Sequence, residues 1–199
     1  DVFAELLRDL ISKSRTILEN HPVNVARRKL GKYAANCIWP WSPGYRPAMA
    51  PLKELVPINK GVVISAVDLI FGIGIYAGLA TIKVDGATGL YDTNYEGKLQ
   101  AALKALGDND TDFVFLHIEA SDEAGHEGDA QLKIKTIENL DRMIVGPLAE
   151  SVACMPEPVR IAVLPDHPTP CSIRTHTSDP VPFLIYDPDI EPDQTAVFS

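Results

Sequence analysis

Five residues with metal-ligand chemistry lie in three short stretches in the second half of the chain. Asp122 and His126 frame the string Asp-Glu-Ala-Gly-His, Asp166 is followed directly by His167, and His176 lies in Thr-His-Thr. Carboxylate oxygens and neutral imidazole nitrogens are common ligands of Zn²⁺ and Mn²⁺. These five candidates exceed the three protein ligands of a single catalytic zinc ion, so the set predicts two metal ions rather than one.

The spacing of these residues indicates how they would share the ions. Asp122 and His126 are four residues apart, so on one helical turn they would face the same way and bind one ion. Side chains of adjacent residues point to opposite sides of an extended segment. Asp166 and His167 are therefore suited to two neighbouring ions, or to two sides of one ion. His117 lies inside a predicted strand, where a histidine is more often a core residue or a supporting residue than a ligand.

Each stretch lies beside a predicted β-strand. Helices are predicted over 67–78, from a capping box at Thr93 and Glu96 to Gly107, and over 130–152 with a break near Pro147. Strands are predicted over 61–66, 79–84, 112–118, 160–164 and 182–186. This alternation predicts an α/β fold with a mainly parallel sheet flanked by helices. Ligands bind beyond the carboxyl ends of the strands in such sheets, so the five residues are expected to meet at one edge.

The N-terminal part differs in composition. A helical pattern covers residues 3–18 and precedes a segment, 21–53, that has no Asp or Glu but contains Arg46 and several other basic residues. This segment predicts contact with an anionic ligand or an acidic surface, or is simply a solvated basic face. A composition shift near residues 56–61 predicts a boundary between one domain over 1–58 and another over 59–199.

Composition excludes several functional classes. The 199 residues carry a formal net charge of −9, which disfavours nonspecific binding to nucleic acid. The three cysteines include no Cys-x-x-Cys pair, which indicates a reducing compartment, and we expect the cytoplasm. No apolar stretch approaches the roughly 20 residues needed to span a membrane. Because the chain starts at Asp1 without Met, we expect it to be part of a longer protein with a segment upstream.

Six strings resemble the archaeal-type cofactor-independent phosphoglycerate mutases of the alkaline phosphatase superfamily. The resemblance covers roughly residues 36–186, and the order and spacing of the strings both agree. The strings are Val-Ile-Ser-Ala-Val-Asp-Leu-Ile, Gly-Ala-Thr-Gly, Asp-Thr-Asn-Tyr-Glu-Gly-Lys, His-Ile-Glu-Ala-Ser-Asp-Glu-Ala-Gly-His-Glu-Gly-Asp, Leu-Pro-Asp-His-Pro-Thr-Pro and Thr-His-Thr-Ser-Asp-Pro-Val-Pro-Phe.

The resemblance implies an alkaline-phosphatase-like core that carries an inserted, substrate-gripping α/β domain, whose C-terminal portion would be residues 1–58. It implies two divalent ions, Mn²⁺ or Zn²⁺ and sometimes Mg²⁺. One ion would be held by Asp122, His126 and His176, and the other by Asp166 and His167. In the family an aspartate and a nucleophilic serine near the N-terminus of the full protein complete the second site, and neither can be placed on this chain.

The resemblance also implies an activity, the glycolytic interconversion of 3-phosphoglycerate and 2-phosphoglycerate through a phosphoserine. Arg46 is the candidate clamp for the substrate's phosphate or carboxylate, because a guanidinium can bind either bidentately. Relatives have Lys where this chain has Phe71, so the substrate remains open. The alternatives are a phosphatase or another phosphomutase, a homoserine-kinase-labelled relative, or a non-catalytic metal-binding piece. We expect the isolated chain to be inactive without the upstream segment.

Overall fold

A computed structural model of the chain describes residues 2–41, 44–108, 110–194 and 198. The chain divides into two compact units, Asp1–Ala48 and Met49–Ser199. The domain boundary predicted between residues 58 and 59 stays a prediction. Among the described residues, every helix is too short or too polar to cross a membrane.

The first unit is built from two helices, α1 (Val2–Glu19) and α2 (Pro22–Lys29), so the helix predicted over 3–18 is confirmed. Two buried polar side chains attach the irregular chain that follows. The Ser14 hydroxyl accepts from the Ile38 N–H at 3.0 Å, and the Asn24 side chain bonds both backbone groups of Ala35. Ala35 and Ile38, in the segment without acidic residues, are thus held by hydrogen bonds between their backbone and these side chains.

The second unit has a parallel sheet of three strands, β1 (Gly61–Ile64), β2 (Ala80–Ile82) and β3 (Phe113–Leu116), in the order β2-β1-β3. A separate antiparallel pair is formed by β4 (Ile161–Val163) and β5 (Leu184–Tyr186). The helices of this unit are α3 (Asp68–Tyr76), α4 (Tyr95–Leu106), α5 (Ala120–Glu127), α6 (Ala130–Leu140) and α7 (Gly146–Val152), with a short 3₁₀ turn at Leu52–Glu54 and a π-helical turn at Asp141–Val145. The predicted α/β class, with a mainly parallel sheet flanked by helices, is confirmed.

Strand β1 lies at the centre of the sheet because its apolar residues are buried on both faces, as is typical of a parallel strand between helices. Gly74 allows α3 to approach it, since a Cβ at residue 74 would lie 2.5 Å from Val63 Cγ1. A core cluster of Tyr95, Leu99, Ala120 and Ile144 packs α4 against the first residue of α5. This packing fixes the helix that follows β3, and that helix carries two of the predicted metal ligands.

Local differences from the predictions have simple causes. The prediction of a capping box at Thr93 is wrong, because the Asn94 side chain caps α4 by accepting from the Gly97 N–H at 2.9 Å. The Thr93 hydroxyl accepts instead from the Thr88 N–H at 3.0 Å. The predicted break near Pro147 takes the form of the π-helical turn, in which the Gly146 N–H bonds the Asp141 carbonyl. A wider turn before a proline accommodates a ring that clashes with the carbonyl four residues earlier in a regular helix.

Candidate metal centre

Asp122 and His126 lie on α5, which begins four residues after β3 ends. The end of the helix is set by Gly128, whose φ of 75° is in the left-handed region. As predicted from the spacing, the two side chains share one face, and His126 Nε2 lies 3.2 Å from Asp122 Oδ2. The helix therefore presents one carboxylate and one imidazole together.

Two further histidines reach the same carboxylate from the loops between β4 and β5. Asp122 Oδ1 lies 3.4 Å from His167 Nε2 and 3.6 Å from His176 Nε2. The Nε2 atoms of His126 and His176 are 3.0 Å apart, and the ring centroids of His167 and His176 are 3.6 Å apart. Four of the five predicted ligands thus converge on one point.

Asp166 lies at the periphery of this cluster. Its side chain is 84% exposed, and its Oδ2 is 3.4 Å from His167 Nδ1. The His167 ring therefore lies between two carboxylates, that of Asp122 on the Nε2 side and that of Asp166 on the Nδ1 side. Arg46, the predicted substrate clamp, is an exposed residue of the irregular segment in the first unit.

A backbone contact sets the protonation of His126. Its Nδ1 lies 3.0 Å from the Arg174 carbonyl oxygen, which can only accept a hydrogen bond. Nδ1 is therefore the donor in this contact, and in the neutral tautomer the Nε2 lone pair faces Asp122 and His176. Arg174 has a φ of 59°, a left-handed conformation that is uncommon outside glycine. The backbone is held in an unfavourable conformation at the residue that orients this imidazole.

The electrostatics favour a charged carboxylate at the centre. Burial raises the pKa of Asp122, but this effect is outweighed by a hydrogen bond from the Thr169 hydroxyl and by the three neighbouring histidines, so the pKa lies below its ordinary value. Glu119 behaves in the opposite way. Burial and then the nearby acidic side chains of Glu123 and Asp122 raise its pKa. Of these two carboxylates, Asp122 is thus the one whose pKa favours the charged form.

The donor set fits a divalent cation. Ligand atoms of Asp122, His167 and His176 all lie within 4.8 Å of one another, and His126 Nε2 lies beside them, 3.2 Å from Asp122 Oδ2 and 3.0 Å from His176 Nε2. Imidazole nitrogens and a carboxylate oxygen are the donors that Zn²⁺ and Mn²⁺ take. In this arrangement a cation would satisfy the facing lone pairs of the imidazoles and neutralise the carboxylate.

Thr169 was outside the sequence predictions, whereas His117 was expected as a core or supporting residue. Thr169, whose hydroxyl donates to Asp122 Oδ1, lies two residues after His167 in the string Leu-Pro-Asp-His-Pro-Thr-Pro, and that proximity is the only signal in the sequence. Ser65 Oγ lies 3.1 Å from His117 Nδ1 and resembles a nucleophile–base pair. Ser65 is only 1% exposed, however, so a substrate cannot reach its hydroxyl. The pair joins the ends of β1 and β3.

Comparison with known proteins decides the family. The family model described as Metalloenzyme superfamily matches residues 43–198, which include the whole histidine and aspartate cluster. The chain belongs to the metalloenzyme superfamily. This membership agrees with divalent metal binding at the cluster and leaves the identity and number of the ions open.

Individual members of the superfamily are similar over nearly the whole chain. A 2,3-bisphosphoglycerate-independent phosphoglycerate mutase of Methanosarcina mazei is 54% identical over 185 residues, which are 93% of this chain and 46% of that protein. The enzyme of the same name from Thermococcus kodakarensis is 39% identical over 197 residues, 98% of this chain and 46% of the relative. The chain thus spans about half the length of these curated relatives, and the predicted resemblance to them is confirmed.

Solved structures are also similar over nearly the whole of this chain and about half of their own. The PH0037 protein from Pyrococcus horikoshii superposes with a TM-score of 0.83 at 37% identity, over 97% of this chain and 49% of the other. The cofactor-independent phosphoglycerate mutase from Thermoplasma acidophilum gives a TM-score of 0.58 at 26% identity, over 100% of this chain and 46% of the other. The chain therefore shares its fold with about half of each neighbour.

Proposed function

We propose that the intact protein is a 2,3-bisphosphoglycerate-independent phosphoglycerate mutase, which interconverts 3-phosphoglycerate and 2-phosphoglycerate in glycolysis. The observation that carries the proposal is the convergence of three histidines on Asp122, at 3.2 Å for His126, 3.4 Å for His167 and 3.6 Å for His176, in a chain of the metalloenzyme superfamily. The names of the similar proteins support the choice of reaction. Because this chain spans about half of their length, the activity is proposed for the intact protein only.

In this proposal the cluster holds two divalent ions, Mn²⁺ or Zn²⁺ and alternatively Mg²⁺. Asp122, His126 and His176 hold one ion, while Asp166 and His167 contribute to the other. Bound at this site, the ions would lower the pKa of a nucleophilic hydroxyl and offset negative charge on the phosphoryl oxygens. The position of His167 between Asp122 and Asp166 supports two adjacent ions, because its ring faces both carboxylates.

The reaction itself needs groups beyond this chain. A serine of the upstream segment would take the phosphoryl group from 3-phosphoglycerate, and the O–P bond to the substrate would break as the bond to the serine forms. The trapped glycerate would then reorient, and its other hydroxyl would attack the phosphoserine. The serine O–P bond would break, the hydroxyl proton would pass to the serine oxygen, and 2-phosphoglycerate would form. Arg46 would bind the phosphate or the carboxylate of the substrate bidentately. We place this activity in the cytoplasm, in line with three cysteines that are all free thiols.

The decisive experiment follows product and free phosphate in parallel. The intact protein, loaded with Mn²⁺, is given 3-phosphoglycerate, and the amounts of 2-phosphoglycerate and inorganic phosphate are measured over time. We expect isomerised product with little free phosphate, since exclusion of water prevents hydrolysis of the phosphoserine. Release of phosphate without 2-phosphoglycerate would identify a phosphatase instead.

The ligand assignment has its own test. His126→Ala removes the imidazole whose Nε2 faces Asp122 and His176, so the variant should lose one bound ion per chain and keep its fold. The matched control is His21→Ala, because His21 is an exposed residue of the first unit that only caps a helix. Metal content is measured by elemental analysis after dialysis. An unchanged content in His126→Ala would show that the assignment is wrong.

A further inference from the structure

Asp122 is held by a side chain outside its own helix. The Thr169 hydroxyl donates to Asp122 Oδ1, and because an ionised carboxylate can only accept, the direction of this bond is fixed. Thr169 is 2% exposed, so its hydroxyl lies inside the protein. The contact is therefore a permanent part of the cluster rather than a surface interaction.

The bond distinguishes the two oxygens of the carboxylate. Oδ1 accepts from Thr169, whereas Oδ2 is the oxygen that lies 3.2 Å from His126 Nε2. A hydrogen bond to one oxygen stops the carboxylate from rotating about its Cβ–Cγ bond. Oδ1 also lies 3.4 Å and 3.6 Å from the Nε2 atoms of His167 and His176, so the two oxygens are then held towards different histidines of the cluster. Hydrogen bonds of this kind orient metal ligands in many sites.

Thr169 is itself braced from the next helix. Lys133 Nζ on α6 donates to the Thr169 carbonyl oxygen at 2.6 Å. Gly125 on α5 provides the space for this approach, because a Cβ at residue 125 would lie 2.3 Å from that same oxygen and 3.0 Å from Lys133 Nζ. The loop after His167 is thus seated against α5 at the one residue of the helix without a side chain.

We infer that Thr169 is a positioning residue for the metal ligand Asp122, and that Lys133 and Gly125 keep its hydroxyl in place. The inference rests on the proposed metal centre and extends it to three residues that bind no metal themselves. It also gives the string Asp-Glu-Ala-Gly-His a second function, since its glycine admits the loop that orients its aspartate.

The test compares Thr169→Val with Thr169→Ser in the intact protein. Valine keeps the shape and removes the hydroxyl, whereas serine keeps the hydroxyl. Affinity for Mn²⁺ is measured by titration calorimetry and affinity for Zn²⁺ by competition with a chelator. We expect Thr169→Val to bind about 10- to 100-fold more weakly, the usual effect of losing a hydrogen bond to a ligand, and Thr169→Ser to bind like the wild type.

Two additions separate positioning from general damage. Thr93→Val is the matched control, because Thr93 is also buried and its hydroxyl bonds only within its own loop at Thr88. The visible absorption of bound Co²⁺ reports ligand geometry, and it should change in Thr169→Val and stay unchanged in Thr93→Val. If Thr169→Val does not fold, Lys133→Met is tested instead. We expect it to lose less metal affinity, because it removes only the hydrogen bond to the Thr169 carbonyl oxygen.

The outcomes distinguish this inference from the proposed metal centre. The positioning role alone would be overturned if Thr169→Val bound metal with wild-type affinity and kept the Co²⁺ spectrum unchanged. If Thr169→Val does not fold, the same result in Lys133→Met would overturn it. A wild-type protein that binds no divalent ion, or an Asp122→Asn variant that binds as the wild type does, would overturn the metal centre and the inference with it.

Discussion

Truncation of Ile64 should lower the free energy of unfolding of the second unit. It is 0% exposed in the central strand β1, where it pairs with Ile82 on one side and Leu116 on the other. Ile64→Ala removes three carbons, and at about 0.8 kcal/mol for each buried methylene the lost transfer free energy is roughly 2.4 kcal/mol. The cavity left between two strands and their helices adds to this, and truncations of this type cost about 2–5 kcal/mol in total. We expect a loss of about 3–4 kcal/mol in the free energy of unfolding.

Urea unfolding followed by far-UV circular dichroism measures this loss, with the slope of the transition checked for constancy. Ile64→Val removes one carbon and should cost about 0.5–1.5 kcal/mol. Leu69→Ala is the exposed control, since Leu69 is 70% exposed on α3 and its truncation should change stability by no more than about 0.5 kcal/mol. A loss below about 1 kcal/mol for Ile64→Ala would refute the argument that β1 forms the packed centre.

Three further predictions concern the surroundings of the site. Asn94→Ala removes the cap of α4 at the Gly97 N–H and should lower the free energy of unfolding by about 1–2 kcal/mol in urea titrations. Gly128→Ala places a side chain at a φ of 75°, against Arg174 Nε, and should cost about 1–2 kcal/mol in the same assay. Lys98→Met should raise stability at pH 7, because burial lowers the pKa of Lys98 below its ordinary 10.5 despite the opposing charge of Glu119. Stability of the wild type should rise with pH as the solution approaches 10.5, since the unfolded chain then binds the extra proton, and this rise should be absent in Lys98→Met.

Matched variants make each of these predictions falsifiable. Asn94→Ser keeps an acceptor at the cap and should restore most of the stability that alanine loses. Gly72→Ala lies in α3 with open space around it, so it should be neutral or slightly stabilising where Gly128→Ala is not. A Lys98→Met protein that is less stable than the wild type at pH 7 would show that its bond to the His117 carbonyl outweighs the cost of burial.

The sequence predicted the parts of the site that depend on local spacing. Asp122 and His126 share a helix face because residues four apart always do, and β1 could be recognised because a continuous apolar run is typical of a central parallel strand. The supporting contacts could not be predicted. The bond from His126 to the Arg174 carbonyl joins residues 48 positions apart, and that from Thr169 to Asp122 joins residues 47 apart.

Some predictions from the sequence are wrong where two neighbouring residues have side chains with the same hydrogen-bonding groups. Thr93 and Asn94 both have a side-chain oxygen suited to a helix start, and only the path of the preceding loop decides that Asn94 caps α4 while Thr93 bonds Thr88. The pairing of β4 with β5 is similar, because their apolar sequences fit a parallel or an antiparallel partner equally well. Such choices depend on tertiary contacts that spacing does not encode.

The wide turn at Asp141–Val145 determines which way the last helix of this region faces. Each residue of an α-helix advances the chain by about 100° around the axis, so one residue more in a turn rotates everything after it by that angle. Both this turn and α7 contact α4, and Ile144 from the turn reaches the core. Deletion of one residue here would shorten the helical segment 130–152 only slightly, but it would rotate Val152 away from its buried position. Exchange of an exposed side chain in this turn, such as Asp141 or Arg142, should therefore disturb the fold less than a change in the number of its residues.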